Sequence, residues 1–400
     1  MPKKKVVIQY LAEFPNYLSY LVFSAFITSP SPILIEIGET FNADPKDLSL
    51  IFSIFAIGGI IGRVISFFLR KRFKILNIII TSYLLLIVFI ILLSQLNNIS
   101  LFFVIYFFSG LLLGLIMVMS NELLLESYVD NKNRLLTIAT TFFPVGSVIT
   151  PVLITTMVKN GLNWKYMYYI ILCLVVFTLA SYIQVTSRNK YSLSTKTKRN
   201  IRFKEIFKEK SNNIIFLFTT LLLTLYIISE FIVSQWSPTF LRIQKLFEIR
   251  TVGVLVSVFW LAIILGRFIV SFVVKKINSY LIIIIISSIA IISVIFLVVS
   301  DSYIAALIAI IFAGLGFSSI FPILFSAGST IYEKGRGMLS AIMLLTSGIG
   351  SSLAPYLTQV ISKKNIIWSM LLAVVFMGII IIITIFLIFY EKQIVQKSNK

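Results

Sequence analysis

The sequence predicts an all-α membrane protein of twelve transmembrane helices, arranged as two parallel six-helix repeats. Three observations carry that expectation. Of 400 residues, 58% are hydrophobic and 12% charged, with a mean hydropathy of +1.01, whereas a soluble domain carries roughly 25% charged residues. Apolar runs of about 18 or more residues recur along the whole chain, each long enough to cross a hydrocarbon core of about 30 Å. The two halves also match one another at a constant shift of 204 residues.

Loop charges and turn residues place the spans near 11–38, 48–69, 75–95, 101–126, 135–158, 166–187, 213–239, 251–274, 280–300, 303–327, 338–361 and 366–390. The first stretch, "MPKKKVVIQYLAEF", starts like a signal peptide, but Glu13 interrupts its apolar part and no small-residue cleavage site follows. It reads as the retained start of the first helix. One side of the membrane collects Lys3, Lys4 and Lys5, then Arg70, Lys71, Arg72 and Lys74, Lys132 and Arg134, Lys275 and Lys276, Lys334 and Arg336, and the tail. The other side holds "ETFNADPKD", "QLNNIS" and Asp301, with Arg242, Lys245, Lys363 and Lys364 as exceptions to the bias. The positive-inside rule then puts both termini in the cytoplasm.

Between the sixth and seventh spans runs "SRNKYSLSTKTKRNIRFKEIFKEK", with nine cations and two acids. The expected organisation is a first half at 1–187, a basic cytoplasmic linker at 188–212 and a second half at 213–400. Within the linker, "FKEIFKEK" is either a short amphipathic surface helix or a solvated connection.

The repeat is clearest between "FSIFAIGGIIGRVISFFLRKR" and "VSVFWLAIILGRFIVSFVVKK". The shift pairs Gly62 with Gly266, Arg63 with Arg267, Gly110 with Gly314, Gly146 with Gly350, Pro151 with Pro355 and Trp164 with Trp368. Matched Gly, Arg, Pro and Trp at one offset are informative in a chain this rich in Ile, Leu and Phe. An even number of spans per half makes both copies enter from the same side, the parallel-repeat arrangement.

Composition also excludes functions. A net charge of +20 would suit nucleic acid, but the cations lie in short loops between spans and do not gather on one face. There is no histidine and only one cysteine, Cys173, so disulfides, His-ligated metals and imidazole relays are excluded. No phosphate-cradling Gly-x-x-x-x-Gly-Lys-Ser/Thr loop occurs, which argues against ATP-driven transport. No loop pairs a nucleophile with a base, so the chain is not expected to be an enzyme or to carry a cofactor.

Twelve spans as six plus six, a basic central loop, and cationic loops after the second and eighth spans resemble the major facilitator superfamily over essentially the whole chain. That family's loop after the second helix has a Gly-x-x-x-Asp-Arg-x-Gly-Arg-Arg-like signature. In "FFLRKRFK" the basic residues remain, Lys71 stands at the aspartate position and the glycines are missing. "SNELLLESYVDNKNRLL", "FFPVGSVITP" and "SEFIVSQWSPTF" further resemble the fucose-permease-like group, in particular its TsgA-type inner-membrane proteins. Sugar-coupling members carry an acid four residues before an asparagine of the fourth helix; with Asn121 as that residue, Met117 takes the acidic position. The resemblance implies alternating-access transport of a small solute, with the first and seventh helices lining a cavity.

A charge inside a membrane span is costly and is a functional candidate by default. Arg63 and Arg267 lie about six residues, roughly 9 Å, from their helix ends. Each either binds helix-end carbonyls or a carboxylate as a structural tie, or touches solute directly. Glu230 is the deepest acid, with Gln235 and Trp236 one to two turns beyond it; these three are candidates for solute or proton binding. The alternative for Glu230 is a carboxylate near the outer interface. Asn121 is either an interhelical hydrogen-bonding residue or a cavity contact. Glu122 and Glu126 are expected to pair with Arg134 or Lys132, and Arg70, Lys71 and Arg72 to anchor the loop. Pro30, Pro32 and Pro238 predict broken or kinked outer halves of the first and seventh helices.

Two functions follow. The first is a monomeric secondary transporter in the cell inner membrane, working on a small solute with protons as a candidate coupling ion. The second is a non-transporting sensor or scaffold that keeps the fold.

Overall fold

The computed structural model describes residues 2–127, 132–188, 210–274, 276–332 and 336–398. Most of the basic linker, including "FKEIFKEK" up to Glu209, lies outside the described residues, as do Lys275, Lys334 and the side chains of Lys132, Arg134 and Arg336. Among the described residues twelve helical spans are long and apolar enough to cross a membrane: α1 Glu13–Phe41, α2 Pro45–Leu69, α3 Ile75–Gln95, α4 Ile99–Glu126, α5 Ile138–Lys159, α6 Tyr166–Val185, α7 Asn212–Gln244, α8 Ile249–Val273, α9 Ser279–Val299, α10 Tyr303–Thr330, α11 Met338–Lys364 and α12 Ile366–Gln393. Among the described residues all regular structure is helical. That is what a bilayer imposes, since only a helix or a closed barrel satisfies its backbone internally.

Short loops start helices with side-chain caps. Asp44 accepts from the Lys46 amide at 2.8 Å, Asn278 from the Tyr280 amide at 2.8 Å and Ser302 from the Ala305 amide at 3.2 Å. Each satisfies an amide that the first turn leaves unpaired.

Among the described residues four spans are interrupted: α2 at Ser49, between helices Pro45–Leu48 and Leu50–Leu69, and three others beside proline. In α1 the α-helix ends at Thr28, and a 3-10 turn at Ser31–Ile33 holds Pro32 before helix resumes at Leu34. In α7 a π-helix at Ile232–Trp236 precedes Pro238. In α10 the helix stops at Phe317 and restarts at Ile320. There Pro322, four residues after Ser318, has no N–H to give the Ser318 carbonyl. The interruptions of α1 and α7 fall where Pro30, Pro32 and Pro238 pointed; that of α10, beside Pro322, is a finding of the structure.

The chain divides into two compact units, Met1–Thr197 with Glu248–Ser257, and Lys198–Phe247 with Val258–Lys400. In the first, α1 packs on α4, α5 and α6, α2 on α4, and α3 on α4 and α6. The contact between α2 and α4 is lined by glycine from both sides. A Cβ at Gly58 or Gly62 would meet the carbonyl of Phe107 or Leu111, and one at Gly110 or Gly114 the carbonyl of Phe55 or Gly59. Two small residues four apart on each helix let the backbones touch. In the second unit α7 packs on α10, α11 and α12, and α9 on α10 and α12.

Candidate functional site

In the first unit, Asn121 belongs to a polar cluster drawn from four helices. The buried Asn16 of α1 donates through Nδ2 to Ser120 Oγ at 2.6 Å and to Asn121 Oδ1 at 3.2 Å. The Asn121 amide and the Tyr20 hydroxyl of α1 are joined, Nδ2 donating to the phenol oxygen at 3.0 Å. Ser120 Oγ lies 2.7 Å from the Tyr182 hydroxyl of α6, Tyr182 lies 2.9 Å from Ser19 Oγ, and Tyr83 of α3 donates to Ser19 at 2.8 Å. Within this cluster Asn16 Oδ1 has no hydrogen-bond partner. Arg63, half-buried, acts electrostatically on Tyr20.

Of these residues the sequence singled out only Asn121 and Arg63. Tyr83 is the one tyrosine of α3 and Tyr182 one of four in α6; a buried phenol needs a hydrogen-bond partner, and that is the signal which could have found them. Beside the cluster, Tyr17 stacks on Phe142 with centroids 4.7 Å apart and planes 4° from parallel.

At the loop-facing end of α2, Arg70 forms two ion pairs with α4. Its Nε donates to Glu122 Oε1 and its Nη2 to Glu126 Oε1, each at 2.8 Å. The two acids lie four apart, so they share one helix face and present a fork to one guanidinium. The side chains are 15% exposed for Arg70, 33% for Glu122 and 21% for Glu126. Burial works against the Arg70 charge, but the two carboxylates, Glu122 first, outweigh it and hold the guanidinium above the ordinary arginine range. Among the described residues these acids pair with Arg70; the side chains of the expected partners, Arg134 and Lys132, lie outside the described residues. Lys71 and Arg72 are exposed, and Lys71 Nζ sits 5.8 Å from the centroid of the Phe68 ring.

The second unit holds the deep acid. Glu230 is half-buried in the last α-helical turn before the π-helix of α7. The Tyr226 hydroxyl, one turn earlier, lies 2.8 Å from Glu230 Oε1 and 2.9 Å from the carbonyl oxygen of Phe317 in α10. Arg267 of α8 acts electrostatically on Glu230, and its Nε donates to the carbonyl of Ser318 at 3.0 Å.

Gln235, 3% exposed within the π-helix, keeps its Oε1 unpartnered, as does Thr239 its Oγ1 one turn on. Trp236 is 1% exposed and its indole donates to Ser369 Oγ of α12 at 2.7 Å. It is thus packed into the unit, tying α7 to α12. Trp236→Phe should lower the melting temperature of the detergent-extracted protein, by the loss of one buried hydrogen bond and some ring area, about 2 kcal/mol.

Twelve spans, interrupted α1, α7 and α10, and polar clusters held inside otherwise apolar helices define a multi-pass membrane transporter. A Major Facilitator Superfamily profile matches residues 17–355, and the chain belongs to that superfamily. It is similar to the Protein TsgA homolog of Buchnera aphidicola subsp. Acyrthosiphon pisum (strain Tuc7), 25% identical over 379 residues that cover 94% of this chain and 96% of that one. The Protein TsgA homolog of Yersinia pestis (strain Pestoides F) is 23% identical over 358 residues, 88% of each chain. Among solved structures, a D-xylose-proton symporter superposes with a TM-score of 0.77 at 13% identity, covering 94% of this chain and 96% of the other. The nucleoside transporter NupG gives 0.68 at 12%, covering 96% and 99%. Identities this low describe a shared fold.

Proposed function

We propose that this chain moves a small solute across the cell inner membrane by secondary-active alternating access, with protons as the coupling ion taken up at Glu230. The observation that carries the proposal is the setting of that carboxylate. It lies inside a membrane span, meets one phenol and the field of one guanidinium, and adjoins a π-helix whose Gln235 has an unpaired oxygen. An ionisable group in a span is retained at considerable cost, and π-helical turns concentrate at functional sites. Gln235 and Asn121 are the proposed solute contacts, Arg63 and Arg267 the structural ties, and Arg70 with Glu122 and Glu126 the clasp between α2 and α4. Loop charge supports cytoplasmic termini. The halves 1–187 and 213–400, joined by the linker 188–212, are the proposed moving bodies of a monomer.

One observation favours the scaffold alternative. Met117, at the position where sugar-coupled relatives have an acid, packs with Tyr20, Leu124 and Ala139 in an apolar cluster that Phe23, Phe142 and Phe143 cover.

Proteoliposomes loaded with a pH-sensitive dye separate the two. Sugars, amino acids, nucleosides and organic acids are added in turn under an imposed proton gradient. The expected result is one solute class that drives proton entry in the wild type, with Glu230→Gln reduced to the level of empty liposomes. Solute-driven proton entry that survives in Glu230→Gln rules out the coupling role. Silence across the panel, both for proton entry and for uptake of the labelled solutes, favours the scaffold.

A further inference from the structure

We infer that the proton on Glu230 decides whether Tyr226 and Arg267 hold the break in α10 or hold Glu230 itself; this deepens the coupling role proposed above and rests on it. The starting point is the break. Phe317 and Ser318 end a helix inside a span, and Pro322 cannot supply the amide that the Ser318 carbonyl would otherwise receive. Unsatisfied carbonyls are costly at membrane depth and need donors from elsewhere in the protein. Two side chains provide them. The Tyr226 hydroxyl sits 2.9 Å from the Phe317 oxygen, and Arg267 Nε donates to the Ser318 oxygen at 3.0 Å.

The same two side chains serve Glu230. Tyr226 is 2.8 Å from Oε1, and Arg267 acts on the carboxyl electrostatically. Proton counting then separates two states. A phenol has one proton to donate and a carbonyl can only accept. Both Tyr226 contacts are therefore hydrogen bonds at once only when Glu230 carries a proton, donating it to the phenol oxygen while Tyr226 donates to Phe317.

When Glu230 ionises, its oxygens become acceptors only. The single Tyr226 proton turns to the carboxylate, because a hydrogen bond to a charged acceptor is roughly twice as strong as a neutral one. Phe317 is then left without its donor, and the new negative charge draws Arg267 off Ser318. Protonation staples α7 and α8 to the α10 break; deprotonation releases it.

Among the described residues, the titratable groups that act on Glu230 are Tyr226 on its own helix and Arg267 on α8; α10, α11 and α12, which also pack on α7, contribute none. The first half has no counterpart. At the shift of 204 residues, Val22 replaces Tyr226, Phe26 replaces Glu230 and Val118 replaces Pro322, while the arginine is kept as Arg63. The device belongs to the second half alone.

The test uses full-length purified protein without solute. Infrared difference spectra between acid and alkaline pH should show a protonated-carboxyl band that Glu230→Gln removes. Tyr226→Phe should move that band to the position of an acid with no hydrogen-bond acceptor. In parallel, Ser319→Cys in a Cys173→Ser background reports on the break through its maleimide labelling rate, taken relative to the same protein carrying Glu230→Gln at each pH. That ratio should be near one in acid and rise several-fold in alkali, and with Tyr226→Phe it should be high throughout. A carboxyl band unmoved by Tyr226→Phe, the absence of any Glu230 band at every pH where the protein stays folded, or a labelling ratio independent of pH would each overturn the inference. Those outcomes leave the coupling role standing if Glu230→Gln still abolishes transport. Transport that survives Glu230→Gln overturns the coupling role whatever the spectra show.

Discussion

Leucine at Gly62 should leave almost no folded protein in the membrane. A Cβ at this position meets the carbonyl oxygen, carbonyl carbon and Cα of Leu111, all backbone atoms, so no flexible side chain can swing aside. Gly58, Gly110 and Gly114 repeat the condition along the same contact. Accommodating a side chain means separating α2 from α4 along their length. Overpacking a core typically costs about 1–3 kcal/mol, and a rigid backbone on the other side puts Gly62→Leu above that range, at about 4 kcal/mol or more. Gly378→Leu is the control, since its Cβ would meet nothing within 4 Å. Size-exclusion profiles of detergent extracts decide the matter: a single wild-type-like peak for Gly62→Leu would mean that α2 and α4 are not in backbone contact.

The second large effect concerns the clasp. Glu122→Gln with Glu126→Gln should lower the melting temperature more than Arg70→Met does, although both remove the same two ion pairs. The double variant strands a guanidinium that is only 15% exposed, whereas Arg70→Met removes the charge and keeps an unbranched apolar stem. Breaking a fully buried pair costs about 3–5 kcal/mol because of the charge left behind. Partial exposure of Glu122 and Glu126 reduces the expectation to about 2 kcal/mol for the acid pair and about 1 kcal/mol for Arg70→Met. The guanidinium is held above the ordinary arginine range, so its share of stability is complete below the unfolded arginine pKa. It is lost only as pH rises through the higher folded value, so deprotonation of Arg70 adds no pH dependence in the neutral range. Equal melting temperatures for the two variants would show that Arg70 reaches water once its partners are gone.

The contrast between these two regions indicates what was legible beforehand. Gly62 stood out because it repeats at Gly266 beside a repeated arginine, and small residues in spans signal close helix approach. The partner of Glu122 and Glu126 could not be chosen. Arg134 and Lys132, whose side chains lie outside the described residues, are nearer in sequence; Arg70 lies 52 and 56 residues away, and the packing of α2 on α4 brings it to the acids. Likewise Asn121 was visible as an amide in a span, but its links to Asn16 and Tyr20 join residues about a hundred positions apart.

By itself the sequence determined the twelve spans, the repeat of its halves and the expected direction of insertion. These depend on local properties: run length against bilayer thickness, turn residues, and which loops carry cations. The tertiary structure alone decided which polar groups meet. Ile, Leu and Phe on every helix face make many pairings look equally apolar, so the choice rests on backbone fit and on where prolines free a carbonyl. Tyr226 shows it most directly: its hydroxyl meets Phe317, 91 residues later, because a proline opened α10 beside the one acid deep in the second half.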